Sequence, residues 1–232
     1  MSDVFTELVP RLMSSDSPLL PSLQLQQLWL HLGWGLVLAP LAVLLAGRWQ
    51  PSPRQQRVVA LAVTALCWVP GPWGASFWLG LAFQAPSATS AGIGAVLLVR
   101  CFKRQPAPLP HLATAPLYLP AFGVLIGWAL LLDSFALLPV QLYALGFSPV
   151  VPVLATVVAG AVWYAARPQA ARGAEAVGLS VAVLVFVGLR LPSGNAWDAL
   201  LDPWLWMVLH AVCIQALRQR LASRRRPQGF SG

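Results

Sequence analysis

Between Arg57 and Arg100 the chain runs for 42 residues without one acidic or basic side chain. A water-soluble domain carries about 25% charged residues over its surface, so a stretch this long has no aqueous face to present. The remainder is similar, with 58% of the 232 residues hydrophobic and 9% charged. This composition predicts an all-α polytopic membrane protein, because a helix satisfies its own backbone N–H and C=O groups where lipid cannot.

A crossing helix needs about 20 mostly apolar residues. Seven candidate transmembrane helices meet that length, at about 26–46, two between Arg57 and Arg100, then 114–132, 149–166, 174–190 and 200–217. Residues 1–25 form a short outer segment, 26–217 the bundle and 218–232 a basic tail. Asp3, Glu7 and Asp16 against Arg11 give the amino end the wrong charge for a signal peptide, so the first apolar run is expected to stay as an anchor.

The net charge of +8 does not mark nucleic-acid binding, because the cations are sorted by side. With seven crossings one side receives Arg48, Arg54, Arg57, Arg100, Lys103, Arg104, Arg167, Arg172, Arg218, Arg220, Arg224, Arg225 and Arg226, which is 13 of 15 cations. The other side receives Arg11 and Arg190 together with six of the seven acids, Asp3, Glu7, Asp16, Asp133, Asp198 and Asp202. Basic loops stay in the cytoplasm. The amino end is therefore expected outside and the carboxyl end inside, as a multi-pass protein of a cytoplasmic (inner) membrane. The five arginines from Arg218 to Arg226 should lie against anionic lipid headgroups.

Proline and glycine mark irregular places. Val69-Pro-Gly-Pro-Trp73 divides the second span, and the third is continuously apolar only over 91–102. Pro40, Pro116, Pro120 and Pro152 are expected to kink their spans. The small residues Ser87 to Ala95 suit close helix packing, while short, interrupted spans also mark binding sites in transporters. Spans one to three and five to seven each leave their second helix through proline, glycine and tryptophan, at Pro70-Gly-Pro-Trp73 and Pro192-Ser-Gly-Asn-Ala-Trp197. This three-plus-one-plus-three plan resembles that of sugar-exporting seven-helix transporters, but the chain lacks the intramembrane Pro-Gln pair of that family.

The expected site is an outward-facing, tryptophan-rich cavity near the broken second and third spans, with Trp73, Trp78, Gln84, Ser87, Asp133, Arg190, His31 and His210 as candidates. Asp133 is expected either to pair with Arg190 or to couple transport to protons. Such a site fits a non-enzymatic protein, either a small-solute transporter or an assembly partner of another membrane protein or of its own copies. A competing class is a redox protein holding haem b or a quinone, with His31 and His210 as axial ligands. A third is an intramembrane hydrolase in which Ser76, within Gly74-Ala-Ser-Phe77, takes His210 as base. Retinal is excluded, since the single lysine, Lys103, is not in the last span. Cys67, Cys101 and Cys213 read as free thiols, and no metal-ligand spacing occurs.

Overall fold

The computed structural model describes residues 18–49, 52–103, 117–166 and 173–224, with backbone only at 165, 166, 173–176, 223 and 224. The expectations for Asp3, Glu7, Arg11, Asp16, Arg104, Pro116, Arg167, Arg172, Arg225 and Arg226 lie outside the described residues, as does the side chain of Arg224. Among the described residues there are helices and no strands: α1 Leu23–Ala46, α2 Pro53–Trp68, α3 Ala75–Phe83, α4 Ala88–Phe102, α5 Tyr118–Ser134, α6 Leu142–Leu145, α7 Val150–Ala166, α8 Gly173–Leu189, α9 Ala196–Leu200 and α10 Pro203–Arg224. Among the described residues each apolar run seen in the sequence is helical, the second run as the two helices α2 and α3. One of them, Leu23–Trp49, is long and apolar enough by itself to cross a membrane, whereas Ala88–Phe102, Tyr118–Ser134, Val150–Tyr164 and Val177–Leu189 are apolar and shorter.

Local chemistry sets the helix starts. Ser22, Ser52 and Ser87 each accept an N–H of the first turn, and Ser52 with Gln55 completes a reciprocal capping box. Pro120 and Pro152 fall in the first turns of α5 and α7. A first-turn residue has no intrahelical N–H bond for proline to remove, so neither proline breaks its helix's hydrogen-bond ladder, as the expected kinks would require. Pro40 alone among the described prolines of the long helices is truly internal.

The interrupted second span is resolved into α2, a turn with Gly71 at φ +67°, and α3. Gly74 closes the turn so tightly that a Cβ there would lie 1.9 Å from the Val69 carbonyl oxygen. Both ends of α3 meet the same part of α1. Ser76 shares a carbonyl with His31, Gly80 packs on Leu30, and the Gln84 carbonyl accepts the Trp34 indole N–H. The helix therefore lies across α1 rather than along it.

At the centre is α4, which packs against α1 on one side and α8 on the other. Glycines permit both contacts. A Cβ on Gly94 would sit 2.2 Å from the Leu36 carbonyl oxygen of α1, and one on Gly92 would sit 3.0 Å from Gly178 Cα of α8. The Leu36 carbonyl is the one whose helical donor Pro40 removes, so the close approach of the Gly94 backbone covers an otherwise unmatched acceptor. Helix α7 packs on α8, while α10 packs on α5. The two sequence triplets are thus packed differently, since α4 joins α1 whereas α10 joins the linking helix. The transporter-like symmetry does not extend to packing.

Candidate functional site

Three loops, 84–87, 135–149 and 190–202, come together at the end of the bundle where α1 begins. The first is held by tryptophans: Trp29 Nε1 donates to the Pro86 carbonyl and Trp34 Nε1 to the Gln84 carbonyl, both at 2.9 Å. It is then tied to α10 by a buried carboxyl. Asp202 Oδ2 accepts the Ser87 N–H at 2.8 Å and Oδ1 accepts the Leu205 N–H at 2.7 Å, so the amino ends of α4 and α10 converge on one acidic side chain. Backbone N–H groups and helix dipoles both favour negative charge there. Thr89 reinforces the joint by donating to the Ala199 carbonyl.

The other two loops interlock through Asn195, which is fully buried. Its amide donates to the Tyr143 carbonyl and its Oδ1 accepts the Trp197 N–H, each at 2.9 Å. Trp197 Nε1 reaches the Leu142 carbonyl and Ala196 N–H the Gly146 carbonyl. The Tyr143 hydroxyl donates to Asp198 Oδ2 at 2.8 Å, and Ser193 donates to the same oxygen. Burial, and then the neighbouring Asp198 carboxylate, push the Tyr143 phenol well above its usual range, so it stays a donor at any physiological pH. Replacing Asn195 by alanine is expected to cost about 1–3 kcal/mol, since the part-buried Trp197 N–H and Tyr143 carbonyl lose their partner. The loss should register as a lower thermal midpoint in detergent.

Asp133 and Arg190 belong to this loop scaffold and not to an ion pair. Asp133 Oδ2 accepts the Tyr143 N–H at 2.7 Å. Arg190, at φ +58°, lies with its guanidinium 4.7 Å from the Phe186 ring centroid, and burial lowers its pKa from the usual value. The carboxylate is engaged by backbone, which answers the expectation of a pair with a structural alternative.

His31 Nδ1 and Ser76 Oγ both contact the Cys67 carbonyl oxygen, each at 2.6 Å. That oxygen stands at the end of α2, where the turn through Pro70 takes the next helical donor away. The contact makes His31 Nδ1 the protonated nitrogen, and its ring stacks on Trp68. Ser76 is fully buried. His210 lies on a different helix pair: Nδ1 donates to the Trp206 carbonyl at 2.8 Å, and Nε2 accepts from Trp128 Nε1 at 3.2 Å. The structure therefore brings Ser76 to His31 through a carbonyl and does not bring it to His210. The two histidines sit in separate clusters, on α1–α2 and on α5–α10.

Trp73 and Trp78 are exposed, with Trp78 Nε1 on the Pro72 carbonyl, and Gln84 is exposed while Ser87 is buried. None of the expected candidates lines the cavity that the structure contains between the α5–α10 pair and α4, α7 and α8. Its volume is about 360 Å³, and its walls include Ile93, Phe122, Ile126, Leu154, Val158 and Leu209. The only polar side-chain atoms in the lining belong to Thr89 and Trp197, and both are bonded to backbone carbonyls. Sequence reasoning missed this cavity because its residues read as ordinary apolar helix. It also missed Asp202 and Asn195, although Asp202-Pro203 is a legible helix-start signal. Among the described residues no group of three His, Cys, Asp or Glu side chains is placed to hold a metal ion.

Comparisons with protein-family models, curated proteins and solved structures give no match.

Proposed function

We propose that the chain is a non-enzymatic integral membrane protein of the cytoplasmic membrane, and that its apolar cavity takes a hydrocarbon chain of a lipid-like molecule. The cavity carries the reading. Its size falls in the range of small-molecule sites, about 300–1,000 Å³, and its almost wholly apolar lining offers little to water or a hydrophilic solute. Of the two non-enzymatic forms, transporter or assembly partner, either one acts here on an apolar group.

Seven crossings belong to this proposal, by α1, α2, α4, α5, α7, α8 and α10, with α3 lying across α1. The helices of 17 residues, α5, α7 and α8, reach about 25 Å at 1.5 Å per residue. Against a core of about 30 Å the shortfall is met by local thinning and by the boundary side chains. The loop end faces outward and Arg48, Arg100, Lys103, Arg218 and Arg220 face the cytoplasm, the last two continuing α10 as a basic helix against anionic headgroups. Haem ligation has less support, since both nitrogens of His210 are engaged. Hydrolysis by Ser76 has less support, since its hydroxyl donates to Cys67.

A fatty acid carrying a diazirine at mid-chain tests the cavity. On irradiation it should label α5 or α7, and Ala155→Phe, which fills the space between them, should remove most of the adduct while helicity is unchanged. Equal labelling of both proteins would reject the site.

A further inference from the structure

A second groove runs along the other face of α4, between α1 and α8, with a volume of about 430 Å³. Leu36 of α1, Ala91, Ala95 and Val99 of α4, and Val181 and Val185 of α8 form its walls, while Arg100 and Lys103 stand at the end remote from the loops. From Ala91 to Lys103 is 12 residues, about 18 Å of helix, which matches the roughly 15 Å hydrocarbon depth of one leaflet. An apolar trough of leaflet length that ends in two cations is complementary to an anionic amphiphile. Arg100 also interacts within the chain, and a guanidinium has five N–H donors to share.

We infer that this groove is a site for one anionic phospholipid of the cytoplasmic leaflet, its acyl chain against Ala91 and Ala95 and its phosphate on Arg100 and Lys103. The inference rests on the membrane reading above but concerns a different face, a different leaflet and a charged ligand. Native mass spectrometry of the full chain in mild detergent tests it, with phosphatidylglycerol, phosphatidylcholine of the same chains, and glycerol 3-phosphate as probes. One phosphatidylglycerol should be retained in preference to phosphatidylcholine, and Arg100→Gln with Lys103→Gln should reduce that preference about thirtyfold, as expected for two cations at a membrane surface. Ala95→Phe, which obstructs the trough without touching charge, should reduce retention of both lipids. Unchanged preference in the double variant would overturn the site. So would equally strong binding of glycerol 3-phosphate, which would mean a free-phosphate site, or a lipid-free dimer mass lost in Ala95→Phe, which would mean a second copy in the groove. Maleimide labelling of Lys103→Cys from outside the cell would instead reject the membrane orientation.

Discussion

Replacing Asp202 by alanine is expected to lower stability by about 3–5 kcal/mol. The side chain is 7% exposed and accepts two backbone N–H groups, from Ser87 and Leu205. A hydrogen bond to a charged group contributes about 1.5–3 kcal/mol, and a buried donor left without a partner costs about 1–3 kcal/mol. The buried Ser87 N–H and the part-buried Leu205 N–H, at the starts of α4 and α10, lose their partner at once. Asp202→Asn keeps a carbonyl acceptor and should recover part of the loss. Loss of helical circular dichroism on heating in detergent measures both, and a chain of this size should lose about 10 °C in midpoint for the alanine variant. A shift below about 2 °C would show that the joint between α4 and α10 is not held by this carboxyl.

Gly94→Leu is expected to have a comparable effect, about 3 kcal/mol or more, for a steric reason. The atom that a Cβ would strike, at 2.2 Å, is the Leu36 carbonyl oxygen, and the next is the Leu36 carbonyl carbon at 3.0 Å. Both are backbone of α1, which cannot rotate aside as a side-chain end can. The helices must separate, exposing the packed residues around Ala39, Val43 and Ala60 and leaving the Leu36 carbonyl, already deprived of a donor by Pro40, with no cover. Overpacking of a closed interface costs about 1–3 kcal/mol and occasionally more. Gly160→Ala is the control, because a Cβ there meets nothing within 4 Å. It should be neutral or stabilising by up to about 1 kcal/mol through helix propensity.

These two residues illustrate what sequence could and could not convey. Helix positions were legible, because a long run without charge has few alternatives to a helix, and the start of α2 is written in Ser52, Pro53 and Gln55. The break after Trp68 was legible for the same kind of local reason, since Pro70 and Pro72 cannot donate. The small residues around Gly94 announced close packing but not the partner. The loops were opaque. Asn195, Asp198 and Tyr143 take their meaning from one another across more than 50 positions, and nothing near any of them encodes the meeting. Tryptophan roles were opaque for a similar reason: Trp29, Trp34, Trp197 and Trp206 donate to carbonyls of irregular or neighbouring segments, and no local pattern announces those partners. The cavity itself escaped notice because its apolar walls differ from the exposed apolar helix faces only in where they point.

The central claim is that the chain crosses the membrane with the loop end outside. Single cysteines at Leu137, exposed in the loop after α5, and at Ser52 and Lys103, exposed at the opposite end, report on it once Cys67, Cys101 and Cys213 are replaced by alanine. A membrane-impermeant maleimide applied to intact cells should label Leu137→Cys directly, and Ser52→Cys and Lys103→Cys only after permeabilisation. Labelling of all three from the same side would contradict the account.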